Sequence, residues 1–170
     1  MSSISMYQAS VPVFVRALDN LTHVLKKGEA HAKAKNADPD SLLQQRLIYD
    51  MLPLVKQVQI ACDMGARGTA RLAGAEPQSF EDNEKTFAEV YSRIERARAY
   101  IQSFKSEQID GSENRHISFK TRNGEQKFTG IEYLQQFTLP NLFFHCATAY
   151  DILRVAGTEL GKSDFISGGN

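Results

Sequence analysis

The stretch PNLFFHCATAYDILRVAG, residues 140–157, decides the fold class predicted from this sequence. Its apolar residues recur at helical spacing, and the glycine that follows the last of them is typical of a helix C-terminus. On a helical wheel, Asp151 and Arg154 mark one side, and His145 lies near the centre of the opposite, apolar side. The pattern therefore predicts a core helix with an imidazole that points into the protein.

Three further helices are predicted before this stretch, at about residues 11–34, 53–73 and 87–104, because apolar residues recur there with a helical period. A short helix is predicted at about residues 41–49, between the first two. Four main helices of this kind are typical of an all-α four-helix bundle. The absence of a linker or a repeat predicts one domain over residues 1–170.

A small β-hairpin is expected to interrupt the helices within RHISFKTRNGEQKFTG, residues 115–130. Asn123-Gly124 separates two alternating runs, which is a strong hairpin signal. A two-residue turn at this pair would place Phe119 opposite Phe128. The sequence thus predicts a bundle with a hairpin inserted before the last helix.

The last helix is expected to begin at a capping box formed by Thr129 and Glu132. Pro140 lies inside this helix and should kink or break it, because proline lacks the N–H that an α-helix needs. Beyond the helix, residues 161–170 are predicted to be extended, with Phe165 docked on the bundle.

The composition of the chain excludes some kinds of binding partner. The chain of 170 residues has 20 Lys and Arg against 20 Asp and Glu, which argues against a nucleic-acid partner. No apolar run approaches the roughly 20 residues that would span a bilayer, and the first ten residues lack the features of a signal peptide. We therefore expect a cytoplasmic protein without a membrane partner, in which Cys62 and Cys146 are free thiols.

A buried imidazole requires hydrogen-bond partners. On the predicted wheels Asn141 and Thr148 flank His145, and Cys62 points inward from the second main helix, while Asp63 pairs with Arg67 nearer the solvent side. Three interpretations stay open from the residues alone: a core histidine that satisfies its own hydrogen bonds, a polar pocket that binds a ligand, and a metal site.

Several segments carry a family resemblance. The runs MYQASVPVFVRALDNL, PLVKQVQIACD, ARLAG and LPNLFFHCATAYDILRVAG resemble the DinB/YfiT-like superfamily of four-helix bundles, and in particular a bacterial branch catalogued as a domain of unknown function. The resemblance covers nearly the whole chain. It implies the helix order up-down-down-up and a superfamily that includes metalloenzymes and thiol-cofactor transferases.

The resemblance also implies a site. The superfamily holds a divalent metal with an HxxxH pair on the last helix and a third histidine on the second. Aligned on ILRVAG, His145 takes the second position of the pair and Asn141 the first, while QVQIACD offers Gln59, Cys62 or Asp63 on the second helix. We therefore expect a degenerate metal site that holds little metal, with His145 as its candidate ligand. The candidate pocket residues are His145, Asn141, Thr148, Cys62 and Gln59.

Three functions stay open at this point. The first is binding of a small ligand in a polar internal pocket around Asn141 and His145. The alternative is a transferase that depends on a metal or a thiol cofactor, with His145 as ligand or general base. The second alternative is a non-catalytic dimeric structural module, and a homodimer is the expected assembly. The sequence names no substrate.

Overall fold

A computed structural model describes residues 3–121 and 124–168 of the chain. Within these residues, four long helices form the bundle and a two-stranded hairpin precedes the last of them, which confirms the predicted fold class. In chain order the elements are α1 (Met6–Ala34), a 3₁₀ helix (Pro39–Gln44), α2 (Leu54–Leu72), α3 (Phe87–Gln102), α4 (Ser106–Ile109), β1 (Ile117–Thr121), β2 (Gly124–Phe128), α5 (Gly130–Glu132), a π-helical segment (Tyr133–Thr138), α6 (Leu139–Val155) and α7 (Lys162–Ser167).

The core lies among the four long helices, and α1 and α2 each pack against both α3 and α6. Neighbouring elements approach α2 closely because two of its residues are glycines. A Cβ atom on Gly68 would lie 2.6 Å from Thr138 Cγ2, and one on Gly65 would lie 2.9 Å from Ile101 Cδ1. Such distances are too short for a real side chain, so small residues on α2 set its spacing to the neighbouring helices.

Two helix boundaries differ from the prediction. Helix α1 begins at Met6, about a turn before the predicted start. Ser5 caps it through a hydrogen bond from the Gln8 N–H, and the Gln8 side chain accepts the Ser5 N–H in return. The helix predicted at residues 41–49 shrinks to a 3₁₀ helix that ends at Gln44. Only Leu43 of that stretch is buried, so a longer helix would gain little from packing.

The hairpin is present, but its predicted register is wrong by two residues. Phe119 pairs with Gln126, and Phe128 pairs with Ile117. Asn123 lies outside the described residues, and Gly124, with φ +109°, is the first residue of β2. A shift of two residues keeps every side chain on its face of the sheet. Phe119 and Phe128 therefore still stack diagonally, with ring centroids 6.2 Å apart.

The last helix begins at the predicted Thr129–Glu132 capping box and changes its winding before Pro140. Tyr133–Thr138 is π-helical, and the Leu139 N–H donates to the Leu134 carbonyl five residues earlier. Pro140 lacks the N–H that would bond to Gln136 in an α-helix. The π-helical segment before it is therefore consistent with the predicted kink or break at this proline.

The C-terminal segment is a helix, α7, and not the extended chain predicted. The Asp164 carboxylate accepts the Gly161 N–H at 2.8 Å, and His23 and Lys27 of α1 bond to the same side chain. These contacts hold the first turn, because a carboxylate at a helix N-terminus satisfies an orphan N–H group. Phe165 is docked as expected, with its ring 5.9 Å from that of Tyr150.

Candidate functional site

His145 lies on α6 and faces the first turn of α2. It is 9% exposed, and its Nδ1 atom is 2.7 Å from the Oε1 atom of Gln57, which is 2% exposed. The Nε2 atom of Gln57 donates to the Leu52 carbonyl at 2.9 Å. Because this second bond uses the amide nitrogen, the amide oxygen must accept from His145. The pair therefore fixes the tautomer in which Nδ1 carries the proton.

The other ring nitrogen of His145 is an open acceptor. Burial lowers the pKa of His145 to about 4, so the ring is neutral at pH 7. No residue in the described ranges hydrogen-bonds to Nε2, although the ring of Phe144 contacts the imidazole edge to face at 5.2 Å between centroids. The site therefore presents one oriented lone pair that no donor among residues 3–121 and 124–168 occupies.

The remaining candidates bond elsewhere. The Asn141 amide donates to the Phe137 carbonyl at 2.7 Å, and the Thr148 hydroxyl donates to the Phe144 carbonyl at 2.8 Å, so each bonds to its own helical turn. Gln59 donates to Glu84 at 2.7 Å. Across the described residues, no hydrogen bond joins two of the five candidates. The polar pocket around Asn141 and His145 stays a prediction, and its described contacts centre on His145 and Gln57.

Both cysteines are free and buried, with exposures of 0% for Cys62 and 3% for Cys146. Burial raises the pKa of Cys146 to about 12 and raises the pKa of Cys62 further. A thiol reacts as a nucleophile or metal ligand through its thiolate, and both groups stay protonated near neutral pH. Neither cysteine is set up for thiol chemistry.

The donor set around His145 does not fit the metal that the superfamily resemblance implies. Among residues 3–121 and 124–168, no three His, Cys, Asp or Glu side chains are grouped so that they could hold a metal. The oxygen that bonds to the ring, Gln57 Oε1, already accepts the Nδ1 proton, and the Asn141 amide nitrogen is bonded to its own helix. A transition metal normally takes three or four protein ligands, and His145 alone cannot supply that number.

A buried ion network was not anticipated from the sequence. Arg93 on α3 is 0% exposed, and its terminal nitrogens lie 2.6 Å from Asp63, 3.2 Å from Asp82 and 3.3 Å from Glu84. The predicted pair of Asp63 with Arg67 is present at 2.8 Å, so Asp63 bridges two arginines. The sequence did contain one sign that Arg93 is buried: it lies three residues after buried Val90, on the apolar face of α3.

Gln57 was also missed. It lies four residues before Ala61 and eight before Gly65, which places it on the inward face of α2. The wheel that oriented Cys62 could therefore have flagged a glutamine on a buried face. It could not have paired Gln57 with His145, because the two residues are 88 positions apart in the chain.

The chain matches the sequence model of a family described as "Domain of unknown function (DUF1993)" over residues 6–166. The chain belongs to this family. It is also similar to a solved structure, a crystal structure of a DinB family member protein from Shewanella denitrificans at 1.83 Å resolution. The two chains are 36% identical, the match covers 95% of this chain and 91% of the other, and the TM-score is 0.86.

These matches confirm the resemblance to DinB-like bundles. Among curated proteins, none matches the sequence. Within the described residues, no helix combines the length and the apolar character needed to cross a bilayer. The comparisons thus give the family and the fold, and the chemistry of the site has to indicate the function.

Proposed function

We propose that this protein binds a small molecule that donates a hydrogen bond to Nε2 of His145. The supporting observation is a buried imidazole whose Nδ1 proton is held by Gln57 while its second nitrogen has no protein donor within the described residues. Nε2 is not among the buried side-chain atoms that lack a partner, so solvent can reach it. A ligand hydroxyl or amide N–H could therefore bond to Nε2 in place of water.

The surroundings favour a ligand with an apolar part. Phe144, whose ring contacts His145, is 55% exposed, and Leu52, whose carbonyl holds Gln57, is 45% exposed. Small-molecule sites combine apolar side chains with a small number of oriented polar groups. A neutral ring accepts but does not donate at Nε2, so a neutral donor suits it better than an anion. We therefore propose a hydroxylated, partly apolar molecule as the ligand class.

Binding is better supported than catalysis. A general base works best when its pKa lies near the operating pH, and the pKa of His145 is about 4. The cysteines are protonated and buried, and the donor set does not fit a transition metal. These properties give the transferase alternative no reactive group. The homodimer stays a prediction that sedimentation equilibrium would test.

Phenol is a suitable probe because it joins one hydroxyl to an apolar ring, and anisole is its matched control without the donor. The imidazole nitrogens of ¹⁵N-labelled protein report the tautomer and the hydrogen bond directly. We expect Nδ1–H in the free protein, a shift of the Nε2 resonance with phenol, and none with anisole. Phenol should also raise the melting temperature, because a ligand that binds only the folded state stabilises it.

The variant His145→Asn separates binding from folding. An asparagine amide can place its nitrogen where Nδ1 lies, so the bond to Gln57 can form, but nothing replaces Nε2. It should fold and lose phenol binding. His31→Asn makes the same chemical change on α1 and should bind phenol normally. Equal responses to phenol and anisole, or full phenol binding by His145→Asn, would contradict the proposal.

A further inference from the structure

A separate cleft lies at the other end of α2 from His145. Its volume is about 570 Å³, and it is lined by the last turns of α2, the loop that follows and the start of β1. Arg71 in this cleft is 14 residues beyond Gln57, which is about 21 Å along a helix. A small molecule could not contact both places, so the cleft is independent of the proposed His145 site.

Arg71 is held in a fixed orientation inside the cleft. Its guanidinium lies 4.1 Å from the centre of the Phe119 ring, and one terminal nitrogen donates to the Tyr133 hydroxyl at 2.9 Å. Within the described residues it forms no ion pair with a carboxylate. A guanidinium has five N–H donors, so several remain available after the bond to Tyr133. Stacking on an aromatic face and one hydrogen bond leave Arg71 oriented but unneutralised.

Arg115 reaches the cleft from the loop before β1, and Gly74 makes room for it. A Cβ atom on Gly74 would lie 1.7 Å from the Nη1 atom of Arg115, and Gly74 has φ +72°, which favours glycine. In the described part of the chain, Arg115 also has no carboxylate within ion-pair distance. Gly74, just after α2, therefore makes room for a second guanidinium that no carboxylate of the described residues pairs with.

The charges that line the cleft are unbalanced. Arg67, Arg71 and Arg115 face one carboxylate, Glu76, so three positive charges and one negative charge leave +2. Asp63, outside the lining, pairs with Arg67 at 2.8 Å and reduces this to about +1. An excess of this kind is notable in a chain with equal numbers of acidic and basic residues.

We propose that this cleft binds a small organic oxyanion, whose carboxylate or phosphate group lies between Arg71 and Arg115. Planar guanidinium groups bind both kinds of oxyanion with paired hydrogen bonds. The volume falls within the range of metabolite sites, roughly 300–1,000 Å³. A purely structural role for Arg71, as a cation in the last turn of α2 that complements the helix dipole, would need no uncompensated Arg115 beside it.

Benzoate, phenyl phosphate and benzamide test the inference at constant ionic strength by calorimetric titration. Benzoate and benzamide have nearly the same shape, but only benzoate is charged at pH 7. We expect benzoate or phenyl phosphate to bind and benzamide not to bind. Binding of benzoate alone would identify a carboxylate site, and binding of phenyl phosphate alone a phosphate site. Equal binding of benzamide and the anions would overturn the proposal, as would no binding of either anion.

Variants locate the binding. Arg115→Met removes an exposed charge and should fold normally, and we expect it to weaken anion binding at least tenfold. Lys120→Met removes the same charge from an exposed position on β1, outside the cleft lining, and should change binding less than twofold. Arg71→Lys retains the charge but loses the planar donors, so weaker binding is expected there too. If Arg115→Met and Lys120→Met bind the anion equally well, the inference is wrong.

Discussion

The Arg93 network and the His145–Gln57 pair both link α2 to a neighbouring helix through buried polar groups, yet they are built differently. Arg93 is charged, and its terminal nitrogens bond to the Glu81 carbonyl and to three carboxylates. His145 is neutral, and in the described part of the chain it forms one side-chain bond. A buried charge without partners costs several kcal/mol, whereas a neutral acceptor that solvent can reach, such as Nε2 of His145, costs little. An open acceptor is therefore tolerable at His145, which makes that pair the better place for a ligand.

The largest expected effect is the loss of Arg93. Arg93→Met fills a similar volume but removes the central cation from buried Glu84 and partly buried Asp63, which keep Arg96 at 3.5 Å and Arg67 at 2.8 Å, respectively. We expect the free energy of unfolding to fall by about 3–5 kcal/mol, the cost of breaking a buried ion pair from one side. Urea denaturation measures this change.

Arg98→Met on the same helix is the matched control. Arg98 pairs with Asp19 and with Glu95 at the surface, where each carboxylate is about half exposed or more. Exposed pairs contribute up to about 1 kcal/mol, so this variant should cost no more than that. Similar losses from both substitutions would show that the Arg93 network behaves as a surface network.

The next effect is the pH dependence of stability at His145. The ring titrates near its ordinary pKa of 6.5 in the unfolded chain and near 4 in the folded protein. Between these values the unfolded state binds a proton that the folded state does not, so stability falls as the pH is lowered. The loss approaches about 3 kcal/mol by pH 4, at 1.36 kcal/mol per pKa unit.

Carboxylates titrate in part of the same range, so the comparison has to be made with His145→Asn. The variant lacks the imidazole and should show a shallower loss of stability between pH 6.5 and 4. The difference between the two curves isolates the contribution of His145. Parallel curves would mean that the ring is not desolvated in the folded protein.

A smaller effect follows from removing the side chain at neutral pH. His145→Ala leaves Gln57 Oε1 buried without a donor and should destabilise by roughly 1–3 kcal/mol. Asparagine should recover more of this loss than glutamine, because its nitrogen lies at the position of Nδ1, the atom that bonds to Gln57. Thermal and urea unfolding of the three variants would rank them, and a better recovery by glutamine would place the structural bond at Nε2 instead.

The sequence predicted the bundle well because helix patterns are local. The Thr129 capping box, the inward face of α6 and the disturbance at Pro140 all depend on residues within a few turns of one another. Such local patterns did not predict the hairpin register or the α7 helix. The tail is held by His23 and Lys27, more than 130 positions away, which no local pattern contains.

The same limit applies to the candidate site. The wheel oriented His145 correctly towards the core, since its exposure is 9%. It could not identify Gln57 as the partner, nor show that Asn141 and Thr148 bond to their own turns, because short polar side chains can bond to their own helix as readily as point into a pocket. The family resemblance aligns Asn141 with a histidine that binds metal in the superfamily. Whether Asn141 can take part in a site depends, however, on where its amide points.

The smallest expected effect tests that last point. In Asn141→Ala the helix loses one hydrogen bond, from the amide to the Phe137 carbonyl, in the π-helical turn before Pro140. The bond is only partly buried, so water can replace it, and we expect a loss below about 1 kcal/mol. If Asn141 instead shared a ligand with His145, the substitution would leave stability nearly unchanged and weaken phenol binding severalfold. Unfolding and phenol titration measured on the same variant distinguish a residue that only bonds to its own helix from one that also contacts the ligand.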